Sequence, residues 1–81
     1  MHPDDIRAII RAALPDAELQ CQDLTGTRDH WQIDVISDHF EGQRLLAQHR
    51  VVKDALAAQL ADRTIHALSI KTWTHARWAA R

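Results

Sequence analysis

The chain has 81 residues, 46% of them apolar and 26% charged, the balance of a single small globular domain spanning 1–81 with a modest core. A formal charge of −1 and an isoelectric point near 6.6 lack the basic excess of a dedicated nucleic-acid binder, and the one cysteine, Cys21, excludes an internal disulfide or a cysteine-rich metal centre. No stretch approaches the ~20 apolar residues of a membrane span, and the polar, acidic opening Met1-His2-Pro3-Asp4-Asp5 is unlike a signal peptide, so a cytoplasmic protein without membrane attachment is expected.

Ile6, Ile9, Ile10, Ala13 and Leu14 fall at i, i+3, i+4, i+7 and i+8 and so define one apolar helix face. Pro3 suits the first helical turn, Asp4 and Asp5 complement the positive end of the helix dipole, and Pro15 ends the helix. The next segment, 17–22, alternates strictly, with Ala17, Leu19 and Cys21 on one face. A loop follows from Asp23 to Asp29 around Gly26. Trp31, Ile33 and Val35 then alternate with Gln32 and Asp34, which predicts an antiparallel hairpin whose loop is longer than a tight turn requires. Such surplus length often serves binding.

Residues 37–42 turn the chain. The pattern from Gln43 to Ala61 is helical again, with Leu45, Val52, Leu56 and Leu60 on one stripe. His49 falls on that stripe and reads as a structural residue holding the helix to the Phe40-Glu41-Gly42 turn, with Glu41 as the helix cap. Asp62-Arg63-Thr64 closes the helix, 65–71 forms the third strand, and Thr74 caps a last short helix carrying Trp78. The order α-β-β-α-β-α is an α+β fold. A right-handed crossover makes strands two and three parallel, so the sheet is three-stranded and mixed, with helices packed on one face.

Histidine is both a proton carrier and a metal ligand near neutral pH, and the chain holds six. His66 shares strand parity with Leu68 and Ile70, which places it toward the core. On its residues alone it is either capped by a backbone carbonyl or a ligand. His30 ends the hairpin loop. His2, His39 and His75 read as exposed, where weak adventitious metal binding carries no functional meaning. Cys21 shares the apolar face of Leu19 and reads as an inert thiol. Phe40, Trp31 and Trp78 read as core or rim aromatics. Joint titration of the histidines as pH falls is a further reading, that of an acid-stress sensor. No nucleophile with a recognisable base, no phosphate loop and no paired carboxylates point to an enzyme.

Four motifs in order carry a resemblance over Ile6 to Trp78: Phe40-Glu41-Gly42; His49-Arg50-Val51-Val52 with Ala55-Leu56; Ile65-His66-Ala67-Leu68-Ser69-Ile70-Lys71-Thr72; and Trp78. With these the chain resembles the BolA family, specifically its short IbaG-like bacterial members. The resemblance implies a class II KH-like fold and a non-enzymatic adaptor in iron–sulfur trafficking. In that role it pairs with a monothiol glutaredoxin and shares a 2Fe–2S cluster held also by the glutaredoxin and glutathione thiolates. The cluster would be absent from the isolated protein, itself a monomer or weak homodimer. His66 matches the family's usual ligand, and His30 best occupies the place of a second. Partner contacts are expected around Arg50, Lys53, Ala67 and Lys71.

The alternative is a DNA-binding transcriptional regulator linked to stress response and morphology, resting on Arg44, Arg50, Lys53, Lys71 and Arg77. Against it, Gly42-Gln43-Arg44-Leu45 lacks the second glycine of the Gly-x-x-Gly clamp that KH domains use. Gln48 stands where many relatives carry arginine, which thins the basic patch. Thr74-His75-Ala76-Arg77 likewise departs from the family's usual last-helix start.

Overall fold

A computed structural model describes residues 1–81 and gives helix α1 (Pro3–Ala13), strands β1 (Glu18–Asp23) and β2 (His30–Ile36), a 3-10 turn (Asp38–Phe40), helices α2 (Leu45–Ala55) and α3 (Ala57–Ala61), strand β3 (Ala67–Trp73) and helix α4 (His75–Ala80). The start of α1 is fixed by Pro3 at its first position and by the His2 ring, whose Nδ1 accepts the Asp4 N–H at 3.0 Å. Its end is closed by the Leu14 N–H on the Ile10 carbonyl at 2.8 Å, immediately before Pro15. Ile6, Ile10 and Leu14 are buried as the spacing predicts, whereas Ala13 is exposed at the stripe's margin.

β2 is the central strand, antiparallel to β1 and parallel to β3. The register builds three rungs on the covered face: Leu19–Val35–Thr72, Cys21–Ile33–Ile70 and Asp23–Trp31–Leu68. Against these pack Ile6, Ile10, Val52, Leu56, Ile65 and Phe40 in one continuous core. Alternation puts Gln20, Asp34 and Lys71 on the opposite face, with Gln22, Gln32 and Ser69 beside them.

The expected fold class is therefore present, with two refinements. The helix expected over 43–61 begins only at Leu45 and breaks at Leu56, whose φ of −100° and ψ of 14° leave helical geometry. No glycine or proline marks the break; the side chain of Leu56 is fully buried, so packing sets the bend. The second corrects the expectation that all helices pack on one face: α4 lies on the polar sheet face opposite α1 and α2, because Trp73 points there and holds Trp78. Trp78 meets Trp73 edge-on at 5.3 Å between centroids, the Trp73 indole donates to Asp34 at 3.0 Å, and Arg81 stacks over Trp78 at 3.5 Å. Thr74 caps this helix as expected, its hydroxyl accepting the Arg77 N–H.

Three local expectations are overturned. Leu45 is 62% exposed, because the helix starts there and the turn before it points the side chain outward. Glu41 does not cap α2; its backbone closes the 3-10 turn, and α2 starts at Arg44 without a side-chain cap. The helix is held to the Phe40–Gly42 turn by Gln48 instead of His49. The Gln48 amide donates to the Gln43 carbonyl at 2.8 Å and the Phe40 carbonyl at 3.4 Å, and accepts the Thr72 hydroxyl at 2.5 Å. A further fixed point lies at the far end of the sheet. There Asp16 accepts the Ser37 hydroxyl at 2.6 Å and the Asp38 N–H at 2.8 Å, and Asp38 accepts the His75 N–H at 3.1 Å.

Candidate functional site

The β1–β2 loop is built around one carboxylate oxygen. Asp23 Oδ1 accepts the backbone N–H groups of Thr25, Gly26 and Arg28 at 3.3, 3.0 and 3.3 Å. That winding needs left-handed backbone at Gly26 (φ 81°) and at Arg28 (φ 58°), of which only the first suits its residue. The strain at Arg28 is offset because its carbonyl accepts both the buried Trp31 indole N–H at 3.0 Å and the Met1 amino group at 3.2 Å. The loop therefore ends in one fixed direction, at Asp29 and His30.

His66 reaches the same place from the other side. The chain leaves α3 through Arg63, also left-handed at φ 63°, buries Ile65, and then pairs with the loop: the His66 and Ala67 N–H groups donate to the Asp29 carbonyl at 2.7 and 3.2 Å. His66 thus lies just before β3 and is exposed, contrary to the core-facing placement that parity with Leu68 and Ile70 suggests. The strand begins one residue later, so its alternation does not extend to the histidine, and Ile65 takes the buried place.

His30, His66 and Asp29 form one cluster. The imidazoles sit edge to face with centroids 5.7 Å apart. His30 Nδ1 hydrogen-bonds Asp29 Oδ1 at 2.8 Å, and His66 Nδ1 lies 3.3 Å from Asp29 Oδ2. The Thr27 hydroxyl also donates to Asp29. That hydroxyl above all, then the His30 bond, holds the Asp29 carboxyl down to about 2, so it is an anion throughout the histidine range. The two rings remain 38% and 42% exposed, so the cluster is a rim open to a second molecule rather than a closed cage.

Cys21 stays away from this rim, half-buried on the core face as its alternation with Leu19 predicts, and desolvation pushes its thiol up. The proposed contact residues Arg50, Lys53, Ala67 and Lys71 are all exposed, but on two surfaces. Ala67 and Lys71 share the sheet face of His30, whereas Arg50 and Lys53 line a shallow cleft on α2 with Leu46 and His49. Arg44 and Arg77 extend the basic set to the start of α2 and to α4, so it forms no single stripe. His2 and His39 are exposed as expected, while His75 is half-buried and lies 3.6 Å from Asp16.

Sequence reasoning missed two features of the site. Asp29 enters the sequence reading only as the end of the hairpin loop, although its place directly before His30 is the signal that marks it. Leu46, 75% exposed beside Arg50 and Lys53, is the second: it breaks the polar outer face of α2.

Fold and site together define a small α+β domain with a mixed sheet that displays a histidine pair on an open rim. This chain belongs to the BolA family: the family profile for BolA-like protein matches residues 10–77. It is 32% identical over 79 residues, 98% of this chain and 90% of the relative, to the acid stress protein IbaG of Escherichia coli. It is 43% identical over 53 residues to the DNA-binding transcriptional regulator BolA of Vibrio cholerae, matching 65% of this chain and 49% of that relative, so the likeness spans only about half of the regulator. A solved structure of a BolA homologue from Coxiella burnetii superimposes with a TM-score of 0.82 at 30% identity, covering 98% of this chain and 97% of that one. Two of these relatives carry the names of a transcriptional regulator and of a stress protein. No helix of this chain is long and apolar enough to cross a membrane.

Proposed function

We propose that the protein is a non-enzymatic adaptor in iron–sulfur trafficking that docks on a monothiol glutaredoxin and contributes His66 and His30 to a shared 2Fe–2S cluster. The observation that carries this reading is the convergence of two exposed imidazoles on one carboxylate at an open rim. The donor set suits such cargo: imidazole can replace thiolate on iron, which raises the potential of a cluster and makes its retention pH-dependent. Two neutral nitrogen donors do not complete a cluster site, so the thiolates must come from the glutaredoxin and glutathione. Exposure suits transfer or sensing better than electron storage.

Ala67 pairs with His30, and Lys71 lies four residues further along β3 opposite Asp34 on the same sheet face; these are the contacts this docking would use first. Arg50 and Lys53 belong to the helix on the other side and would engage only a partner that wraps the edge strand β3. Anaerobic reconstitution with a monothiol glutaredoxin and glutathione tests the reading. It predicts a visible circular dichroism spectrum distinct from that of the glutaredoxin homodimer, and an unchanged homodimer spectrum would refute it.

A second reading, DNA binding in transcriptional regulation, is favoured by Arg44, Arg50 and Lys53, none of which forms an ion pair within the chain. It fits the name of the regulator relative. It predicts affinity that falls steeply with salt, and no binding at low salt would eliminate it.

A further inference from the structure

The two imidazoles have little in common in the sequence, yet one residue governs both. Asp29 Oδ1 hydrogen-bonds His30 Nδ1, its Oδ2 stands 3.3 Å from His66 Nδ1 as a charge contact, and its main-chain carbonyl holds the His66 backbone. Its carboxylate is in turn held by the Thr27 hydroxyl, itself bonded to the hydroxyl of Thr25 at 2.6 Å. Every polar contact of either ring is made through Nδ1; Nε2 of both has no partner in the chain. A neutral imidazole carries one proton, and a carboxylate facing Nδ1 draws the proton to that nitrogen. The lone pair is then left on Nε2, the atom that faces away.

From this geometry we infer that Asp29 is a shared positioning residue: it fixes the tautomer and ring orientation of His30 and His66 together, so that both present Nε2 as the donor to an incoming metal centre. The inference deepens the cluster-ligand reading and rests on it for the identity of that centre. Carboxylates behind metal-bound histidines act in this way generally, orienting the ring and strengthening the donor. Unusual here is that one carboxylate serves two ligands from separate elements, the end of the hairpin loop and the turn before β3. The main-chain bonds from His66 and Ala67 to the Asp29 carbonyl do not depend on the side chain, so substitution leaves the strand start pinned while releasing the rings.

The test needs no metal. Nitrogen-15 to proton correlation of the two imidazoles, recorded on the isolated protein above the histidine range, reports the tautomer of each ring. Wild type should hold both rings as Nδ1–H. Asp29→Ala should move both toward Nε2–H while the backbone amide spectrum stays folded. Asp29→Asn keeps the shape but offers one acceptor oxygen and one amide donor, so one ring should keep Nδ1–H and the other should turn over. That variant keeps the question open to measurement even if the alanine variant unfolds. Wild-type rings found as Nε2–H, or tautomers unmoved in the folded variants, would overturn the inference. In the reconstituted heterodimer, Asp29→Ala should weaken cluster retention about 10–100-fold. If the wild-type heterodimer holds no cluster, the ligand reading fails while the tautomer result still stands or falls by itself.

Discussion

Trp31→Phe tests how the fold holds the histidine rim. Trp31 is 1% exposed, its ring lies in the core, and its indole N–H donates to the Arg28 carbonyl at 3.0 Å, beside the left-handed Arg28 that aims Asp29 and His30. Phenylalanine keeps most of the ring but removes the donor and two buried carbons. At ~0.8 kcal/mol per buried carbon the packing loss is about 1.6 kcal/mol. The hydrogen bond adds about 1 kcal/mol, without a full desolvation penalty because the carbonyl keeps the Met1 amino group. The sum is about 2–3 kcal/mol, equivalent in a domain of this size to a fall in melting temperature of about 10–20 °C. Urea unfolding followed by far-ultraviolet circular dichroism measures the loss. Amide hydrogen exchange should at the same time show faster opening at His66 and Ala67, whose N–H groups bond the Asp29 carbonyl, than at β2's far end. A loss below about 1 kcal/mol with exchange at His66 and Ala67 unchanged would refute the claim that Trp31 anchors the loop.

Gln48→Ala should cost about 2–3 kcal/mol in the same unfolding assay, since it deletes three hydrogen bonds and strands the Thr72 hydroxyl, only 9% exposed. His49→Ala should cost clearly less. Asp29 and Asp16 both sit below the usual carboxylate value, Asp29 chiefly through Thr27 and Asp16 chiefly through the Ser37 hydroxyl. For depressed acids the sign is fixed: their stabilisation is complete above ~4, the unfolded value, and fades as pH falls, for Asp29 toward about 2. Stability should therefore drop between pH 4 and 2 by less in Asp16→Asn and Asp29→Asn than in wild type, as read by denaturant midpoints across that range. Leu46→Ser should leave stability within about 0.5 kcal/mol because the side chain is 75% exposed. If the glutaredoxin reaches around β3 to α2, the same change should weaken its binding in calorimetry, and an unchanged affinity would confine docking to the His30 face.

The sequence was most informative where local chemistry and packing agree. Pro3 and Pro15 bracket α1, Thr74 caps α4, and the alternation of Leu19, Trp31, Ile33 and Val35 fixes the sheet face, each through forces acting within a few residues. It was less informative where tertiary contacts decide. Nothing in 43–61 signals that burying Leu56 breaks the helix, or that Gln48 rather than His49 reaches Thr72 across to β3. His66 was visible as a candidate, but its exposure depends on where β3 begins, and that is set by main-chain bonds to Asp29 on a distant loop. Asp29 itself was hidden for the same reason, because its role exists only once the parallel register brings His30 opposite Ala67.

The most direct test of the cluster role is visible circular dichroism of the protein reconstituted anaerobically with a monothiol glutaredoxin and glutathione, wild type against His66→Ala. The account predicts a wild-type spectrum distinct from the glutaredoxin homodimer and its loss in the variant, with the variant's far-ultraviolet spectrum still folded. A heterodimer spectrum that survives His66→Ala would contradict the assignment of His66 as a ligand, and the absence of any new spectrum in wild type would contradict the adaptor role.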